Sequence, residues 1–122
     1  MRLGGFFSAA TRDDLEPVSD RLDCYGLSAI GTPGGFQDWT DDAYDAYGEE
    51  ARRLDIVIGE CGFWENLLTT DAETRSARVD AVRARLVKAD VMGCGSVVSL
   101  VGSRHPSGSP AVPDGYNYTD AC

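Results

Sequence analysis

Residues 55–75 read DIVIGECGFWENLLTTDAETR, and the parsing of this stretch decides the fold. Asp55-Ile56-Val57-Ile58-Gly59-Glu60 is an apolar run of the kind that forms a buried strand. It ends on a carboxylate, and a charge at the end of a buried strand is costly unless it has partners or faces a wet cleft. Further on, Thr70-Asp71-Ala72-Glu73 has the pattern of a capping box, the signature of a helix start. Residues 61–69 then form the loop between them. Strand, loop and helix in that order make one βα unit.

The same unit repeats along the chain. Leu3 to Ser8 is a short apolar run, and Thr11-Arg12-Asp13-Asp14 is a second capping-box pattern. Leu15, Val18 and Leu22 follow at spacings of three and four, one face of a helix that Gly26 ends. Residues 27–31 read as the second strand, and Thr32-Pro33-Gly34-Gly35 as a loop. Thr40 or Asp41 caps a second helix, with Ala43, Ala46, Tyr47, Ala51 and Leu54 at its apolar positions. The box Thr70-Asp71-Ala72-Glu73 opens the longest helix, with Val79, Val82, Leu86, Ala89 and Met92 on one expected inner face. Gly93 closes it, and residues 94–101 are the fourth strand. The order is β-α-β-α-β-α-β, the α/β class, with parallel strands covered by helices.

Bulk properties narrow the function. A chain of 122 residues that is 43 % hydrophobic supports one modest core. Its net charge of −9, from 11 basic and 20 acidic residues, repels phosphate backbones and argues against nucleic acid as a partner. No apolar run has the length of a membrane span, so no membrane is expected. The start, Met1-Arg2-Leu3-Gly4-Gly5-Phe6-Phe7, lacks a signal-peptide pattern, and a cytoplasmic location is the expectation. Cys24, Cys61, Cys94 and Cys122 are widely spaced beside a single histidine. That spacing suits reduced thiols better than a zinc site.

Three segments, GLSAIGTP (26–33), IVIGECGFWENLLTTDAETR (56–75) and KADVMGCGSVVSLVGS (88–103), resemble the sugar phosphate isomerase/epimerase family of xylose-isomerase-like TIM barrels. The most specific piece is Glu60 to Leu68. The resemblance implies a (β/α)8 barrel, of which this chain holds the first four strands: a half-barrel fragment, one partial domain over residues 1–122. It stops at the start of a fourth helix, whose N-cap would be Thr119. The family's activity is metal-assisted proton transfer on a carbohydrate, a sugar or sugar phosphate. Its divalent metal (Mn, Mg, Co or Zn) is held by the second half of the barrel. No metal ligand therefore carries over to this chain, and the fragment itself is expected to be inactive and without cofactor. A small non-catalytic α/β binding domain is the alternative reading. An open half-barrel also exposes strand edges, which favours self-association.

Parallel α/β sheets place functional loops at the carboxyl ends of their strands. Glu60 is accordingly the candidate catalytic carboxylate, against the alternative that it ties a neighbouring loop. Phe7, Trp64, Asn66 and His105 are the candidate substrate contacts, the aromatics by stacking and the others by hydrogen bonds. Cys61 is a weak candidate nucleophile, since no histidine lies near it in sequence.

Overall fold

The computed structural model describes residues 2–112 and 114–118. A 3-10 turn, Arg12–Asp14, leads into α1 (Leu15–Cys24), followed by β1 (Ala29–Gly31). A second 3-10 turn, Phe36–Asp38, precedes α2 (Asp41–Arg53), and then come β2 (Val57–Phe63), α3 (Ala72–Met92) and β3 (Val97–Ser99). The three strands are parallel and form one sheet in the order β1-β2-β3. The expected alternation is therefore present, but with three strands in place of four.

The first expected strand, Leu3 to Ser8, is reduced to a single parallel bridge between Gly4 and Ala29. Its backbone still runs along β1. Leu3 O accepts from Ser28 N–H at 2.9 Å, and Phe7 O accepts from Gly31 N–H at 3.2 Å. The paired glycines Gly4-Gly5 explain the shortfall, because glycine gives a strand no side chain to pack. The last strand is also shorter than expected, since Cys94 is used to end the helix before it. The expected cap at Thr119 lies outside the described residues.

All three helices end in the same way. Leu27 N–H reaches Leu22 O, Ile56 N–H reaches Ala51 O, and Cys94 N–H reaches Ala89 O, each at 2.8–3.0 Å. The residue before each, Gly26, Asp55 or Gly93, is left-handed (φ 65°, 55° and 79°) and bonds back by the shorter link of a Schellman motif. Asp55 is thus a helix terminator and not the first residue of a strand, a correction to the sequence reading. Its short polar side chain tolerates the left-handed region better than most. Arg2 holds it there, donating to its carboxylate at 2.5 Å and to its carbonyl at 2.7 Å.

The chain divides into two compact units: the stretch up to Gly62 with Arg85–Val97, and Phe63–Ala84 with the stretch from Val98 onward. The first unit holds the core. Leu15, Val18 and Leu22 of α1, Tyr44, Tyr47 and Ala51 of α2, and Ala89 and Met92 of α3 meet Ile30, Ile58 and Cys61 of the sheet. Gly48 lets α2 approach α3, for a Cβ there would collide with the Met92 carbonyl. Tyr47 is fully buried, and its hydroxyl donates to Ala9 O at 3.1 Å. In the second unit, Asp71 caps α3 by accepting from Thr74 N–H at 2.7 Å.

The expected inner face of α3 is only half right. Ala89 and Met92 are buried, but Leu86 is 52 % exposed and Val79 36 %. The places beside Ala89 and Met92 go to basic side chains. The Arg85 guanidinium lies 4.5 Å from the centre of the Phe36 ring, and Lys88 Nζ 5.1 Å from that of Tyr44. Their hydrocarbon stems bury while their charges meet aromatic faces, and this turns Leu86 to solvent. No helix among the described residues is long and apolar enough to cross a membrane.

Two predictions follow from this packing. Burial pushes the Tyr47 hydroxyl up from 10.0 to about 12, and burial beside Cys94 pushes the Cys61 thiol up from 9.0 to about 11. Both groups stay protonated in the fold after their unfolded counterparts ionise. The stability these two groups contribute is therefore full below pH 9 and is lost as pH rises through 9 to about 12. Denaturant midpoints measured across that window check it, and Tyr47→Phe should flatten the part above pH 10. At Asp55, a β-branched residue suits the left-handed turn badly, so Asp55→Val should cost roughly 1–2 kcal/mol in urea unfolding. Asp55→Gly should cost less than that.

Candidate functional site

The position of Glu60 is set by one extra residue in β2. Ala29 pairs with Val57 and Ile30 with Ile58, but Gly31 pairs with Glu60, so Gly59 is inserted as a bulge. In strict alternation Glu60 would share the buried face of Ile58. With the bulge, Gly59 and Glu60 both face solvent, and Cys61 and Phe63 return inward. β2 also runs three residues beyond Glu60, so the carboxylate sits within β2, opposite the last residue of β1, and not at the strand's end as expected.

Around Glu60 the first unit has an open cleft of about 470 Å³. Its floor is largely backbone, supplied by Gly4, Gly31 and Gly59, with Ser8 and Thr32 as hydroxyl-bearing lining residues. Among the described residues, no hydrogen bond or ion pair engages the Glu60 carboxylate. Its main-chain carbonyl accepts from Thr32 N–H at 3.1 Å, which ties β2 to the loop after β1. Among the described lining residues Glu60 is the single carboxylate, and none is basic.

Phe6 and Phe7 take opposite roles. Phe7 also lines the cleft, but its ring packs against the core, 5.9 Å from the Tyr25 ring and with the Arg21 guanidinium 5.1 Å above it. Phe6 is fully exposed at the cleft. The sequence reading named Phe7 and missed Phe6. The backbone bends at Phe6, and the two adjacent aromatics take different exposures.

The other candidates belong to the second unit. Trp64 is 55 % exposed, an aromatic surface open to solvent. Asn66 is buried and uses every hydrogen-bonding position it has. Its Nδ2 donates to Ser103 O at 2.6 Å and Gly108 O at 3.1 Å. Its Oδ1 accepts from Leu68 N–H at 3.0 Å and Ser103 N–H at 2.9 Å. The amide clasps the loop after β2 to the loop after β3. His105 lies in the same network, its backbone N–H donating to Ser103 Oγ at 3.0 Å. Its Nδ1 accepts from Ser107 N–H at 3.2 Å, which leaves Nε2 as the ring nitrogen for a ligand. Cys61 is fully buried with its thiol pushed up to about 11, unsuited to nucleophilic attack.

A divalent metal does not fit the cleft as it stands. Glu60 has no second acidic or imidazole ligand there, and no cluster of three His, Cys, Asp or Glu occurs among the described residues.

Three parallel strands in one sheet, linked through helices, are consistent with a partial TIM-barrel-like fragment. No protein-family model matches the chain, and no curated protein does. Among solved structures it is similar to the crystal structure of a D-psicose 3-epimerase in the presence of D-fructose, at a TM-score of 0.66 and 16 % sequence identity. The match covers 87 % of this chain and 39 % of that one. At this identity the likeness is one of fold.

The Asn66 clasp depends on Gly102, which has φ 100° and whose hypothetical Cβ would collide with Asn66 Oδ1. Gly102→Ala should therefore destabilise the protein by at least about 2 kcal/mol, through strain and overpacking together. Equilibrium unfolding of the variant against the parent checks this.

Proposed function

We propose that this chain supplies the first βα units of a sugar isomerase or epimerase-type protein, and that its cleft receives the carbohydrate. The observation that carries this reading is the Glu60 carboxylate, turned into the cleft by the bulge and left without a bond among the described residues. A carboxylate in that state accepts a hydrogen bond from a ligand hydroxyl and is able to take or return a proton at that oxygen. The exposed Phe6 ring gives the C–H face of a sugar an apolar surface. Trp64 and His105 Nε2 are proposed contacts of the second unit taken by itself, in which Asn66 acts through the loop it holds.

Among the described lining residues none is basic, which favours a neutral sugar over a phosphorylated one, because a phosphate would meet the Glu60 carboxylate without a cation beside it. The divalent metal of such chemistry, whose ligands this cleft does not hold, would come with residues outside this chain. The similarity in fold to a D-psicose 3-epimerase supports the carbohydrate reading.

The test uses the chain itself. In an NMR titration with D-fructose, amide shifts should concentrate at Phe6, Gly31, Thr32 and Gly59. Glu60→Gln should weaken binding about tenfold, the loss of roughly one charge-assisted hydrogen bond, while leaving the unfolding midpoint unchanged. Shifts confined to other residues, or a Glu60→Gln variant that binds equally well, would reject the assignment.

A further inference from the structure

The outward face of α3 is patterned for a partner. Val79, Arg83, Leu86 and Asp90 follow one another at spacings of four, three and four, which places them in one line along the helix. Val87 and Val91 flank that line. Leu86 is 52 % exposed, Val87 63 %, Val79 36 % and Val91 37 %, an unusual load of bare aliphatics for a single helix.

We propose that this face pairs with α3 of a second copy of the chain, in antiparallel orientation about a two-fold axis between Leu86 and Val87. The charges select both the occupant and its direction. Arg83 stands three residues before Leu86, and Asp90 three residues after Val87. An antiparallel two-fold pair therefore sets Leu86 against Val87 of the other copy, and Arg83 against Asp90 twice over. Parallel pairing would set Arg83 against Arg83 and Asp90 against Asp90. Among the described residues Asp90 has no ion pair. Arg83 is held only by Asp80, with side chains 73 % and 66 % exposed, so it is available to a stronger partner. This surface is separate from the strand edges that the half-barrel resemblance singles out.

Sedimentation velocity on the whole chain tests the pairing, from about 1 to 300 µM in about 0.15 M salt, where the net charge of each copy is screened beyond about 8 Å. A monomer–dimer equilibrium is expected within that range. Leu86→Glu should leave only monomer, and Arg83→Glu should weaken the dimer at least about tenfold by facing Glu against Asp90. Combining Arg83→Glu with Asp90→Arg should restore the parental affinity, since both pairs are then reversed. These side chains are exposed, so circular dichroism should report an unchanged fold in each variant. A monomer at the highest concentration overturns the proposal. So does a dimer that survives Leu86→Glu, which would place the contact elsewhere, for example at an open strand edge.

Discussion

The architecture of the first unit depends on a conflict of phase within β2. The Schellman turn at Asp55 fixes Ile56 as a buried residue, with its N–H on Ala51 O at 2.8 Å. Counting by two from Ile56 gives Ile58, also buried, and the next step lands on Glu60. An ionised carboxylate among Tyr44, Tyr47 and Ile58 would cost several kcal/mol or force a proton onto it. Inserting Gly59 removes the conflict. Glu60 goes to water, and Cys61 and Phe63 recover the inward phase. A Cβ at Gly59 would stand 3.6 Å from Ile30 O, an ordinary contact, so it is the extra residue and not its being glycine that resolves the phase.

Much of this was legible from residue chemistry. Thr40, the Thr70–Glu73 box, Gly26 and Gly93 announce helix ends that the structure places within a residue or so, the cap of α3 falling on Asp71. The βα order was legible for the same reason. Less visible was anything that depends on non-local packing. Asp55 reads as strand because its neighbours are apolar, and only the left-handed φ of 55° shows it closing α2. The bulge leaves no mark of its own in the sequence, since Gly59 followed by Glu60 also fits a strand that merely ends there. Phe6 and Phe7 are chemically identical, and their separation needs the direction of the backbone. The candidate cleft was thus readable at Glu60 and unreadable in its rim.

The error at α3 has a physical lesson about amphipathic patterns. Periodicity assigns the inner face to the aliphatic side chains, on the assumption that charge belongs outside. Here the inner neighbours are the aromatic rings of Phe36 and Tyr44, which offer a negative face to a cation as well as an apolar surface. Arg85 satisfies both demands, since its stem packs and its guanidinium still donates to Gly62 O at 2.7 Å. Lys88 does likewise and pairs with Asp41. Long basic residues thereby take the half-buried positions beside the aromatic rings, and the aliphatics at Leu86 and Val87 are left at the surface. An aromatic-rich partner element is the signal that periodicity alone overlooks.

Glu60 and Asn66 lie six residues apart and look equally functional as letters in a sequence. Their bonding separates them. Asn66 spends two donors and two acceptor positions on the chain's own backbone, so binding a ligand there would first break a contact that holds two loops. That exchange gains little, because each new hydrogen bond would replace one already made. Glu60 has no such bond to lose among the described residues. A ligand hydroxyl meeting its carboxylate displaces only water, and the protein gives up no internal contact. Unspent bonding capacity at a position that the backbone takes trouble to expose is therefore the stronger mark of a site. Residue type suggests both side chains, and the count of occupied bonds is what the role proposed for Glu60 rests on.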